Sequence, residues 1–216
     1  MQCRILRRAA LTLAITLGTG LGIAPVPSLA AASQALTSAT RKFAAQVLAT
    51  GDHSQQPFAI VDKRAAVLAL FSADGQLLGS SSVLLGSVVG DHPVPGVGDR
   101  AQTGHLWPGD ATTPAGRFDS APGHNKAGED VVWLDYDLAL AIHRLRPGAA
   151  QADRARRLAA QAPASQRVSA GCIVVPVAFY ELVVQPLLGR RAGVVYVLPE
   201  RGQALPHTRM RSIASV

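Results

Sequence analysis

The residues best suited to chemistry sit in one short run, RVSAGCIVVP, Arg167 to Pro176, where Cys172 follows a glycine and precedes an apolar stretch. A thiol attacks a carbonyl carbon when a base takes its proton and donors stand ready for the oxyanion. Gly171 permits close backbone approach, and a turn there can aim N–H groups, that of Cys172 among them, at a reacting oxygen. Histidine is the leading base because its pKa lies near physiological pH. Of six histidines, His53 falls in a linker, His92, His105 and His124 in loops, and His207 in the tail. His143 differs: it lies in LALAIHRL, a strand-like run with apolar neighbours at alternating positions. A ring on a rigid strand just before the cysteine loop is where a positioned base is expected. The competing readings are a small buried hydrophobe for the cysteine and a hydrogen-bonded core or edge residue for His143.

The elements that must hold this pair can be read from periodicity. From Ser33 to Thr50 the pattern is helical, with Leu36, Thr40, Phe43 and Val47 on one face and Gly51 as a stop. GDHSQQP reads as a linker. Phe58–Asp62 and Ala65–Ser72 read as strands, the latter followed by an Asp74-Gly75 turn, and QLLGSSSVLLGSVVG as one or two more. Asp91 to Thr113 is rich in Gly, Pro, Asp and His, a long loop of the kind that often carries function. EDVVWLDYD and LALAIHRL are strands, and Ala150–Ala162 is an amphipathic helix. PASQRVSAG is a loop, Pro176 opens a helix ending near Gly189, and GVVYVLP is the last strand. The expected class is α+β, mostly β, with an N-terminal helix and one or two later ones. The expected division is 1–32 leader, 33–56 helix and linker, 57–200 main domain and 201–216 flexible tail.

Compartment bears on the thiol. Arg4, Arg7 and Arg8 precede the apolar run Ala9 to Ile23, and PSLAAAS offers cleavage after Ala30 or Ala32. This is the pattern of a secretory signal peptide, the alternative being a retained anchor. Export to a periplasm or cell envelope is expected, with no stable membrane insertion after cleavage. Cleavage removes Cys3 and leaves Cys172 alone, so no disulfide can form within the chain and a redox role lacks its resolving thiol. Losing the three leader arginines takes the basic count from 21 to 18 against 14 acidic residues, a net +4. That surplus has no interleaved aromatics, so no nucleic-acid partner is expected.

Ser169-Ala170-Gly171-Cys172, with His143 upstream and TTPAGRF (Thr112 to Phe118) before both, resembles the L,D-transpeptidase (YkuD-type) catalytic domain family. The resemblance covers roughly Phe58 to Pro199. It implies a mixed β-sandwich or barrel acting on peptidoglycan stem peptides, with Cys172 as nucleophile and His143 as base. Ser169 and Gly171 would shape the loop, with N–H groups around Gly171 and Cys172 forming the oxyanion hole, and no metal or organic cofactor is required. Three features depart from the family pattern. Ala170 stands where a second histidine is common, Val174 where an arginine is common, and 28 residues separate His143 from Cys172. Arg144, Arg146 or Arg167 could substitute for the missing cation, and Trp107 in the long loop would offer an aromatic platform. His124, Glu129 and Asp130 match no metal-ligand spacing of note, and Trp133 and Tyr136 read as packing residues. The same acyl-enzyme fits an L,D-carboxypeptidase, and Ala170 with Val174 also fits a catalytically silent cell-wall binding domain. The oligomeric state is not readable.

Overall fold

The computed structural model describes residues 34–200; the expected leader and tail lie outside the described residues. Ten strands order themselves in chain sequence as β1 (Phe58–Asp62), β2 (Val67–Phe71), β3 (Leu77–Ser82), β4 (Leu85–Gly86), β5 (Gly116–His124), β6 (Asp130–Asp135), β7 (Leu140–Arg144), β8 (Arg167–Ser169), β9 (Ile173–Val175) and β10 (Gly193–Leu198). Eight of them form one sheet in the order β3-β2-β1-β10-β5-β6-β7-β9, and β4 pairs with β8. The two edges of the large sheet nearly meet. Leu84, two residues past β3, exchanges backbone hydrogen bonds of 2.8 and 2.9 Å with Val174 of β9, so the sheet curls almost into a barrel. The mostly β class with an N-terminal helix and later helices is the one expected.

The barrel interior is filled by alternate residues of facing strands, among them Leu68, Leu70, Phe118, Val132, Leu134, Ile142, Ile173, Val175 and Val195. Helix α1 (Ser38–Thr50) covers a second apolar layer outside β1, β2 and β10, where Ala44 and Val47 meet Phe58, Ile60, Phe71 and Tyr196. Its start is fixed by Thr37, whose Oγ1 accepts from the Thr40 N–H at 3.0 Å, and its end by Gly51 in the left-handed conformation. The helix therefore begins five residues later than the periodicity suggested, and Leu36 packs from the extended approach. His53 is a correction to the linker reading. It is buried, packs at a tilt against Phe58 with 5.2 Å between ring centroids, and shares a 2.9 Å hydrogen bond with the Ala73 carbonyl.

Other elements differ from the sequence expectation for local reasons. The long loop contains a short helix, α2 (Val97–Thr103). GRFDSAPGH forms β5, a strand hidden by its glycines, proline and polar residues, and one that links the two halves of the large sheet. The loop before the cysteine holds a 3-10 turn (Pro163–Gln166) and then β8. Helix α3 (Gln151–Ala160) matches the expected amphipathic segment. The helix opened by Pro176, α4, is α-helical at Val177–Phe179 and Gln185–Leu187 around a π-helical Tyr180–Val184. Trp133 packs at an edge-to-face angle on Tyr136, which is itself 56% exposed in the turn after β6. No helix among the described residues is long and apolar enough to cross a membrane.

Candidate active site

The parallel pairing of β7 with β9 sets His143 opposite Val174 and Ile142 opposite Ile173. Ile142 and Ile173 point into the barrel, so by strand alternation His143 and Val174 point outward. Cys172 lies two residues before Val174, on the same outward side and beside Ala141. Cys172 and His143 are thus diagonal neighbours on one sheet face, with Cα atoms on the order of 7 Å apart. The sequence placed the pair 28 residues apart; two adjacent strands bring it together.

His143 is buried, and its Nδ1 lies 2.8 Å from the Arg144 carbonyl oxygen. A carbonyl only accepts, so Nδ1 carries the hydrogen and Nε2 keeps its lone pair. Burial first, and then the charge of Arg146, pull the ring's pKa down from 6.5 to about 4; the Arg144 carbonyl and Glu129 oppose this and Arg154 adds to it. Cys172 is a half-buried free thiol whose Sγ–H donates to the Ala139 carbonyl at 3.4 Å. Burial pushes its pKa up, against the smaller opposing effects of the Ala141 backbone and Arg146. The resting site therefore holds a neutral thiol beside a neutral imidazole with one free basic nitrogen. In any attack by this thiol, transfer of its proton to the ring would accompany the step rather than precede it.

The cysteine loop is tied internally and from outside. Ser169 Oγ donates to the Cys172 carbonyl at 2.6 Å and accepts from the Gly171 N–H at 3.1 Å. Gly171 has φ +128°, and a Cβ there would come within 3.0 Å of the Thr112 carbonyl oxygen, so glycine is required on both counts. Because Ser169 takes the Gly171 N–H, the Cys172 N–H is the remaining amide for an oxyanion at this turn. Thr113 adds a clamp that sequence reasoning quoted only as part of a motif. Its buried Oγ1 donates to the Gly171 carbonyl at 2.7 Å and accepts from the Gly86 N–H at 2.8 Å.

Thr113→Val keeps the shape but leaves a buried carbonyl and a buried N–H without partners. At about 1–3 kcal/mol for each of the two orphaned groups, a loss of about 2–6 kcal/mol is expected in thermal unfolding. Thr113→Ser should retain most of that stability and the iodoacetamide reactivity of Cys172; equal behaviour of the two variants would remove the clamp from the account.

The three residues expected to meet substrate have different surroundings. Arg144 alternates with His143 and so faces the other side of β7, its guanidinium 5.8 Å from the centroid of the buried Tyr180 ring. Arg167 is committed inside the fold: its guanidinium donates to the Lys63 carbonyl at 2.9 Å and pairs with Glu200. Neither is a free cation on the thiol's face. Trp107 is 63% exposed, with the Arg100 guanidinium 4.1 Å from its ring centroid. The buried Asp110 carboxylate fixes that arrangement, taking two bonds from Arg100 at 2.6 and 2.7 Å and one from the Trp107 N–H at 2.8 Å. The long loop touches the site at two points. Its Thr112 carbonyl abuts Gly171, and Gly98 of α2 lies too close to the Asp137 carbonyl for any side chain, two residues from the Ala139 that receives the thiol hydrogen.

Val174 is explained by what covers it. With Leu84, Leu145 and Leu158 it forms a small apolar cluster between the outer sheet face and α3. The helix filling the long His–Cys interval therefore rests on the position where an arginine was expected. His124 and Asp130 pair with each other at 3.1 Å, while Glu129 holds Asn125 and Arg146, so these groups are used within the β5–β6 hairpin and its neighbour β7.

No family model and no curated protein sequence matches this chain. The solved structures similar to it are mostly L,D-transpeptidase catalytic domains. An L,D-transpeptidase from Xylanimonas cellulosilytica is 16% identical, over 66% of this chain and 60% of that one, with a TM-score of 0.40. The helical cell shape determining protein Pgp2 from Campylobacter jejuni is 15% identical, over 69% of this chain and 49% of that one, with a TM-score of 0.42. The catalytic domain of the E. faecium L,D-transpeptidase is 18% identical, over 67% of this chain and 98% of that one, with a TM-score of 0.33. The chain thus spans about 60% or less of the first two of these solved chains.

Proposed function

We propose that this chain is an exported cysteine L,D-transpeptidase of the cell envelope, remodelling or cross-linking peptidoglycan through a thioester acyl-enzyme. The observation that carries the reading is the fixed tautomer of His143, with a free Nε2 on the same outward sheet face as an unpaired Cys172. A binding module has no use for that pairing. In the proposed cycle Cys172 Sγ attacks the carbonyl that joins the diamino acid of a tetrapeptide stem to its terminal D-Ala. The thiol proton passes to His143 Nε2, and the Cys172 N–H receives the oxyanion. The tetrahedral species collapses, the C–N bond breaks, and D-Ala leaves with the proton from His143. A side-chain amine of a second stem then attacks the thioester and gives its proton to His143. The C–S bond breaks, and the thiolate recovers that proton. Every step is proton transfer and acyl transfer, so no metal or organic cofactor enters.

Intact-mass spectrometry after incubation with a carbapenem tests this. One covalent adduct per chain is expected, absent from Cys172→Ala. If no adduct forms while iodoacetamide still labels Cys172, the thiol is accessible but not an acyl acceptor, and the transpeptidase reading fails.

A further inference from the structure

The arginines around the site are not equivalent in how their charge is used. Arg144 lies over Tyr180 on the far face of β7, Arg146 is paired with Glu129 at 2.8 Å, and Arg167 is paired with Glu200. On α3, Asp153 holds both Arg156 at 3.1 Å and Arg157 at 2.6 Å, and Arg157 also donates to the Ser165 carbonyl at 3.0 Å. Arg154 is the exception. Its side chain is half-buried, yet it has no carboxylate and no hydrogen-bond acceptor among the described residues.

The fold gives this unpaired cation a defined place. Leu158 anchors α3 on Val174 and Leu145, and these two residues lie on the His143 side of their strands. Arg154 precedes Leu158 by four residues, so it shares the helix face turned toward that surface. Its charge reaches His143, adding to the downward pull of burial and Arg146 on the ring. The apolar contact made by Val174 thus fixes a helix that carries a cation of its own to the thiol's side of the sheet.

We infer that Arg154 is a specificity-determining residue that receives a carboxylate of the acyl donor, the group next to the bond that Cys172 attacks. This rests on the acyl-transfer reading for the nature of the donor, but the existence of an unpaired cation on the His143 side of the sheet does not. A guanidinium suits the role because its planar fork binds a carboxylate through two parallel hydrogen bonds.

Two reagents that differ by one charge separate these claims. Iodoacetate and iodoacetamide alkylate Cys172 through the same displacement of iodide, and only iodoacetate bears a carboxylate. The ratio of their rates is expected to fall roughly fivefold in Arg154→Gln, the size of effect one charge has at a partly solvated site, and to be kept in Arg154→Lys. The iodoacetamide rate alone should not change, because a merely structural role for Arg154 would move both reagents together. An unchanged ratio overturns the inference. Tetrapeptide stems ending in a free acid or in a carboxamide give the second arm: Arg154→Gln should raise KM for the acid roughly tenfold or more and leave the amide unaffected. A fallen ratio with no turnover of either stem would keep the anion position and defeat the transpeptidase reading instead. A fallen ratio with equal losses on both stems would confine Arg154 to attracting small anions and overturn its role in donor choice.

Discussion

His143→Asn is expected to slow acylation of Cys172 by roughly 10²- to 10⁴-fold, the usual contribution of a positioned general base. Asparagine is the informative replacement. Its amide can still donate to the Arg144 carbonyl, as Nδ1 does at 2.8 Å, but it has no basic nitrogen at the Nε2 position. The pH dependence should be distinctive as well. With the ring's pKa near 4 and the thiol's raised by burial, acylation should stay level down to about pH 5 and fall only as His143 protonates. A preformed thiolate–imidazolium pair would give an acid limb at the thiol's lowered pKa and a fall above the ring's raised one. The same displacement appears in stability. The unfolded chain takes up a proton at histidine near pH 6.5 and the folded chain only near 4, so between these values the unfolded state binds more protons. Folding stability is then lost as pH falls through this window, by about 3 kcal/mol at 1.36 kcal/mol per pH unit. Thermal unfolding of the wild type from pH 7 to 4 should show this loss, and His143→Asn should lack that share of it. An acid limb centred near pH 6.5 would mean that the ring is not desolvated, and that the neutral-pair account is wrong.

The pair itself was legible in the sequence because its signals are local. A glycine before a lone cysteine and a histidine amid alternating apolar residues can be seen without knowing the fold. What surrounds the pair was not legible, because it is made by contacts far apart in the chain. Thr113 meets Gly171 across 58 residues and Gly86 across 27, and no pattern near Thr113 announces either bond. Arg167 looked like a loop cation because its partner Glu200 is 33 residues away. Arg144 and His143 are adjacent in sequence, and only the strand's alternation sends them to opposite faces. Among the elements, β1, β2 and β10 are apolar runs of strand length and α3 is amphipathic, and these were read nearly as they stand. β5 was missed because Gly116, Pro122 and Gly123 look like turn residues, yet Phe118 and Ser120 on that strand are buried. β9 is three consecutive apolar residues with no alternation, the pattern of a strand covered on both faces, here by the core and by Leu84 with α3.

Lys63 is where a second large loss of stability is expected. Its ammonium is fully buried and reaches the Thr113 carbonyl at 2.9 Å, the Gly90 carbonyl at 2.5 Å and the Asp91 carboxylate at 2.7 Å. Burial pulls the lysine's pKa down while Asp91 opposes it, and the three acceptors offset part of the cost of burying the ammonium. Lys63→Met fills the space but takes the cation from a nearly buried carboxylate and the donor from two carbonyls. Breaking a buried pair in this way costs about 3–5 kcal/mol. For a chain of this size that is a fall of roughly 6–20 °C in Tm. The effect should not stop at stability. Lys63 holds the Thr113 backbone, and Thr113 Oγ1 holds Gly171, so loosening the first link should disturb the turn that presents Cys172. The expected signature is an iodoacetamide rate at Cys172 that changes in Lys63→Met even well below its melting temperature, together with a slower carbapenem reaction. A variant that melts early but presents its thiol normally would show that Thr113 is held by its other contacts, and that the buried lysine serves the fold alone.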